Sequence, residues 1–416
     1  MTSEPPPSIS SAPTAAAATV PGEASLASES WTRFRSNRMA MAGLWIVGLM
    51  FAVAIFAPFI ASNRPYYMVA LKRSLAPAAA PAEPGKPEPP RTVVMTKVAS
   101  FPLLHGLTKE DLRWLMYPAA GLAVWLFRRR LTARTGFIAV TAAVAIIEIT
   151  VAQHKEVMDW TNYRAIAAQT KWMPPIPYGP LEQESPQYEP PGNTNWMGTD
   201  DLGRDILSRL IHATRISMTV GFVATSISIT LGVLVGALAG YYRGWVDIGL
   251  SRVIEVMECF PTMFLILAVL AFLTPSLFTL MAVMGLTSWT GTARLVRGEF
   301  LRLSELPFAL AARALGAGDR RIILGHILPN AMGPVLVAAT FGIASAILVE
   351  SSLSFLGMGV QPPTPTWGDM LSKARSGVIS TWWLAVFPGI MIFISITAYN
   401  LVGQGIRDAT DPRLRE

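Results

Sequence analysis

Ser217 to Gly240 reads SMTVGFVATSISITLGVLVGALAG. It contains no Asp, Glu, Lys or Arg, and it exceeds the roughly 20 apolar residues needed to cross a bilayer core as a helix. Further apolar runs occupy 39–60, 250–273, 277–293, 331–350 and 382–403. Across 416 residues, 52% are hydrophobic and 15% charged, whereas soluble domains carry roughly 25% charge. The chain therefore reads as all-α, a polytopic membrane helix bundle with six core helices. Within the quoted stretch, Gly232, Gly236 and Gly240 recur every fourth residue and share one helix face, where a neighbouring helix can approach closely.

Outward from that run, composition excludes several functions. The net charge is +7, but the basic residues flank apolar runs, which fits the positive-inside bias better than a nucleic-acid surface. The four histidines, His105, His154, His212 and His326, lack ligand spacing, so no metal site is expected. Cys259 is the single cysteine and precludes an internal disulfide. The one Gly-Lys pair, Gly85-Lys86, is followed by Pro87, so the chain has no phosphate-cradling loop. No catalytic residue and no cofactor are expected. A proton- or sodium-driven carrier would need ionisable residues near the middle of the spans, or broken inverted repeats, and a membrane enzyme would need converging His, Asp or Glu. The core runs show none of these.

Residues 1–38 form an N-terminal segment poor in apolar residues and expected to be disordered. Arg33, Arg35 and Arg38 precede the first span, 39–60, which places the N-terminus in the cytoplasm. Residues 61–195 form a Pro-rich extracytoplasmic insert. Within it, 74–93 reads as an extended linker, and the apolar runs Trp114–Phe127 and Phe137–Gln153 read as an extra membrane hairpin (114–153) turning on Arg128–Arg130. The core spans 196–403, and 404–416 is a cytoplasmic tail. Pro261 and Pro388 should kink their helices, Arg252 and Glu255 should pair, and Trp382-Trp383 should mark an interface belt.

Between the runs ending near Ala293 and starting near Ala331 lies LVRGEFLRLSELPFALAARALGAGDRRIILGHILPNAMG, Leu295–Gly333. It is too polar to span and too regular to be irregular loop. Ala309–Leu315 favours helix, Gly316 and Gly318 end it, and Asp319 can cap a second short helix from Arg320 that stops before Pro329. Read from composition, such a helix–turn–helix could simply rest on the headgroups as an amphipathic connector.

This stretch resembles the "EAA" loop of permease subunits in the oligopeptide/dipeptide/nickel family of bacterial ABC importers. Ala311, Ala312, Gly316, Leu328 and Pro329 stand at matching positions, and Arg313–Ala317 and His326–Asn330 match the subgroup's own variants. Leu310 stands where the family has Glu, and His326 where the wider family has Ile. Met197–Asp205, Ala239–Asp247, Ser352–Gly368 and the tail Asp408–Arg415 also resemble family motifs, although Gln404 replaces a common Asp. The resemblance covers about 196–416 and the first span, and leaves out the insert. It implies a multi-pass inner-membrane subunit whose loop 300–330 couples to ATPases through Ala311, Ala312, Arg313, Gly316, Asp319, Arg320, His326, Leu328 and Pro329. The implied partners are a second homologous permease, two ATP-binding subunits, an extracytoplasmic substrate-binding protein and the bilayer. The implied cargo is peptide, with nickel chelates or oligosaccharides as alternatives.

Overall fold

The computed structural model describes residues 23–75, 93–105, 107–127, 133–154, 163–164, 170–274, 276–376 and 380–410. Helix α1 (Glu23–Ser36) leads into α2 (Arg38–Ile60). Asn37 separates them and caps α2, its Oδ1 accepting from the backbone N–H of Met39 and Ala40 at 3.1 Å each. The disorder expected for residues 1–38 therefore does not hold from Glu23 onward. The ordering has an apolar cause: Phe34 stacks on Trp31 with centroids 5.8 Å apart and buries its ring against Gly405 of the last helix. Residues 1–22 lie outside the described residues.

The insert is not wholly helical. Strands β1 (Tyr67–Leu75), β2 (Val93–Ser100) and β3 (Thr170–Trp172) form an antiparallel sheet in the order β2-β1-β3. Val69 stands opposite both Ala99 and Thr170. β-Branched residues recur in β2, but the Pro/Ala-rich stretch between β1 and β2 hid the pairing in sequence; most of that linker, 76–92, lies outside the described residues. After α3 (Pro102–His105), α4 (Lys109–Phe127) and α5 (Ala133–Gln153) form a hairpin. Helix α4 starts at Lys109 rather than Trp114 because Thr108 and Asp111 cap it reciprocally, at 2.8 and 3.2 Å. Glu148 of α5 accepts from Arg113 at 2.9 Å and from Tyr117 at 2.6 Å, tying the hairpin together. The turn expected at Arg128–Arg130 lies outside the described residues.

The core is organised around α6 (Ile206–Tyr242), whose 37 residues pack against α2, α9 (Leu277–Thr287), α10 (Thr290–Leu303) and α13 (Leu328–Phe355). The last helix, α15 (Trp382–Thr410), closes on α2 and α13. Two runs read as single spans are interrupted. The first divides into α7 (Gly244–Glu258) and α8 (Thr262–Phe272), bent by 81° at the break that Pro261 closes, since proline cannot donate the N–H that would continue the helix. The second ends as α9 at Thr287; Ser288 and Trp289 intervene, and the following helix α10 carries Arg294, Arg297 and Arg302. Among the described residues, four helices are long and apolar enough to cross a membrane, or five if α7–α8 counts as one broken span. In the insert, Ala139–Gln153 is apolar but shorter than a span.

Candidate functional site

The glycine stripe of α6 sets the geometry at one end of the bundle. All three glycines are buried against α10: Gly232 meets Thr292, Gly236 meets Val296, and Gly240 meets Arg297 and Phe300. This close approach brings the end of α10 beside Tyr241. The chain then turns through Ser304–Leu306 into α11 (Pro307–Ala314), with Pro307 in its first turn.

Helix α11 ends in a Schellman motif. The N–H of Ala317 bonds the carbonyl of Ala312 and that of Gly316 bonds Arg313, both at 3.0 Å. Gly316 takes φ +76°, a conformation open to glycine and costly for other residues. Helix α12 (Asp319–Ile322) follows, then one π-helical turn, Ile323–Ile327, that runs directly into α13. The second helix therefore does not stop before Pro329, because proline is tolerated in the first turn of α13.

Asp319 does not serve as the cap. Gly318 occupies that position without a side-chain bond, and Asp319 instead accepts a hydrogen bond from the Tyr241 hydroxyl at 2.7 Å. The Arg313 guanidinium lies 5.6 Å from the centre of the same Tyr241 ring. One side chain at the end of α6 thus holds both α11 and α12. Sequence reading missed Tyr241, although it lies inside the Ala239–Asp247 stretch.

The paired alanines face opposite ways. Ala312 is buried with Ile322 and Ile327 in the loop's own apolar core, while Ala311 is exposed. On the outer side of α11, Leu310 is 49% and Leu315 88% exposed. Arg320 and Arg321 are also exposed. His326 is half-buried, and its backbone carbonyl accepts from Asn330 at 2.7 Å; Leu328 is half-buried and Pro329 exposed.

A second constellation sits at the opposite end of α6. Asp200, buried in the Met197–Asp205 stretch, accepts from Arg204 Nε at 2.8 Å, and Arg209 reaches Asp369 at 3.1 Å on α14 (Trp367–Ser372). Lys373 donates to Asp201 at 2.7 Å. Burial opposes ionisation of Asp200, but bonds from Arg204 and the Arg209 charge hold its carboxyl below the usual value. Asp205 caps α6 through the Ser208 N–H at 2.8 Å; burial pushes its carboxyl from the usual 3.8 to about 6, against the pull of that bond and of Arg164. Trp383 is no surface belt residue: it is buried and donates Nε1–H to the Thr199 carbonyl at 3.1 Å.

Residues 232–416 match the family model described as the binding-protein-dependent transport system inner membrane component. Residues 25–78 match the N-terminal transmembrane domain of oligopeptide transport permease C. The dipeptide transport system permease protein of Alkalihalophilus pseudofirmus is 41% identical over 225 residues, 54% of this chain and 74% of its own length. The chain belongs to the permease family of binding-protein-dependent ABC importers. It is a multi-pass inner-membrane permease subunit with a helical bundle fold. A glutathione transport permease of Pectobacterium atrosepticum is 40% identical over 227 residues, 55% of this chain and 75% of its own. A di/tripeptide transport permease of Pseudomonas aeruginosa is 39% identical over 246 residues, 58% and 81%. Neither family model covers 79–231 of this permease, which holds most of the insert.

Proposed function

We propose that this permease passes short peptides, delivered by an extracytoplasmic binding protein, through a path completed by a second homologous permease. Two ATP-binding subunits dock on loop 300–330 and drive the change of access. The observation that carries the reading is an exposed apolar surface, Leu310 and Leu315, on a short helix fastened to a membrane helix by Tyr241. A connector resting on headgroups has no need of that fastening. A docked partner does, because its motion must reach α6. The names of the relatives, which transport dipeptides, glutathione and di/tripeptides, support the cargo.

Orientation follows the same logic. Asn37 donates to Asp408 at 3.4 Å, and Gly333 lies against Thr410, so the N-terminal arginines, the C-terminal end and the loop share one end of the bundle. We place that end in the cytoplasm, with insert 61–195, including hairpin 114–153, facing out and tail 404–416 facing in. The chain contributes no phosphate-binding loop, and purified alone it should hydrolyse no ATP.

The test is uptake measured beside membrane abundance and ATPase co-precipitation. Ala311→Glu places a charge on the open face and should abolish uptake with abundance preserved. Gly316→Val forces a β-branched residue to positive φ, a strain of about 1–3 kcal/mol, and should do the same. Normal uptake by both variants would remove coupling from this loop.

A further inference from the structure

The insert does more than hang from the permease: it is built into the core. His212 Nε2 contacts the Ala61 carbonyl at 3.0 Å, and Ser208 donates to the Tyr178 carbonyl at 2.8 Å. Arg215 of α6 ion-pairs with Asp111 of α4 and also donates to the carbonyls of Ala54 and Ile55 on α2. Both partners of that ion pair are buried. A guanidinium committed to an insert carboxylate and to two carbonyls of a core helix fixes α4 against α2 and α6.

Between insert and core this arrangement leaves a cavity of about 710 Å³, within the roughly 300–1,000 Å³ typical of small-ligand sites. Its floor is core, with Arg215 and Ile216. The rest of its lining combines insert residues, among them Leu103, Glu110, Leu181 and Glu184, with the core segment Pro363–Pro365. Four carboxylates line it, Glu110, Asp111, Glu182 and Glu184, against two guanidiniums, Arg64 and Arg215. Behind the wall, Arg164 pairs with Glu182 and Glu184 at 2.5 and 2.7 Å. Even with that charge included, the cavity is net negative, and Glu110 stands exposed. Four carboxylates against three guanidiniums leave an excess of one negative charge, and a concave site of low dielectric concentrates charge of the opposite sign.

We infer that this cavity is a receiving site for the cationic, lysine-type side chain of a short peptide, attracted by carboxylates that the insert adds. The inference rests on the peptide reading and gives the insert a task within it. The cavity lies at the end of α6 opposite Tyr241 and the coupling loop, so a peptide there is on the side from which it would be delivered.

The experiment uses the assembled transporter with its binding protein, in a Cys259→Ser, Leu181→Cys chain. Leu181 is 44% exposed in the cavity wall. Labelling by an impermeant maleimide is followed with trilysine, trialanine or triglutamate present, beside uptake of each. Trilysine should slow labelling about fivefold relative to triglutamate, and Glu110→Gln should reduce that difference. Protection arising only from docking of the binding protein would be indifferent to peptide charge and to Glu110→Gln, and would overturn the inference. So would unchanged labelling by peptides that the complex imports. Failure of the complex to import any of the three overturns the peptide reading itself, a distinct result.

Discussion

Substituting Gly240 by alanine should loosen a helix contact that positions loop 300–330, the loop proposed to couple transport to the ATPases. A Cβ on Gly240 would stand 2.6 Å from the Arg297 carbonyl oxygen and 2.7 Å from Phe300 Cβ. Carbon–oxygen contacts normally begin at about 3.3 Å and carbon–carbon contacts at about 3.5 Å, so the shortfall is about 0.7–0.8 Å. The obstructing atoms are backbone and Cβ, which no rotamer change can move. Helix α10 must therefore retreat from α6, and Phe300, which is fully buried, loses its close packing. Overpacking of this kind costs about 1–3 kcal/mol, offset by about 1 kcal/mol of helix propensity gained over glycine. Gly298→Ala on α10 supplies the control, because its new Cβ meets nothing within 4 Å and receives the propensity gain alone. In detergent-purified transporter, Gly240→Ala should unfold several degrees below Gly298→Ala. It should also lose uptake, because Tyr241 is the next residue and its bond to Asp319 depends on where α10 delivers the loop. Equal unfolding midpoints and equal uptake in the two variants would refute the close-approach reasoning.

Tyr241→Phe keeps the ring beneath Arg313 but removes the hydroxyl bond to the Asp319 carboxylate, a loss of about 1.5–3 kcal/mol. Uptake per ATP hydrolysed should fall while membrane abundance holds, and an unchanged ratio would deny the fastening role. Asp111→Ala leaves the Arg215 guanidinium buried without its counter-ion, at about 3–5 kcal/mol; protease should then cut the insert faster, and Asp111→Leu with Arg215→Met should restore resistance. For Asp205, the folded state holds a proton up to about pH 6 that the unfolded chain releases near 3.8, so this group's contribution to stability declines as pH rises through that window. Asn caps equally well, so Asp205→Asn should flatten the pH dependence of unfolding between about pH 4 and pH 6; a slope unchanged from the unsubstituted chain would remove Asp205 as its source.

Several features of this permease were legible without coordinates because they are properties of short chain segments. An uncharged apolar run long enough to cross a bilayer has few alternatives to a helix, since unpaired backbone groups are intolerable in lipid. The period-four glycines announced a close contact for the same local reason, and Gly316 announced a helix reversal. What the sequence could not say was which helix the glycines met, because α6 and α10 are brought together only by the turns between them. Nor could it tell that Ala312 faces inward while Ala311 faces out, since two adjacent alanines have the same propensity and differ only in what surrounds them. The proline at 261 announced a kink there, although not its 81° bend; the break at Ser288-Trp289 was invisible to hydropathy, which averages over the run and does not register backbone geometry. The pairs Tyr241–Asp319, Arg215–Asp111 and Arg209–Asp369 join residues distant in the chain. Each member alone reads as an ordinary polar residue, and its meaning comes from a partner that only the folded bundle supplies. Local pattern thus determined the helices and the loop's reversal. The tertiary structure decided which faces meet, because burial and charge pairing belong to neighbours in space.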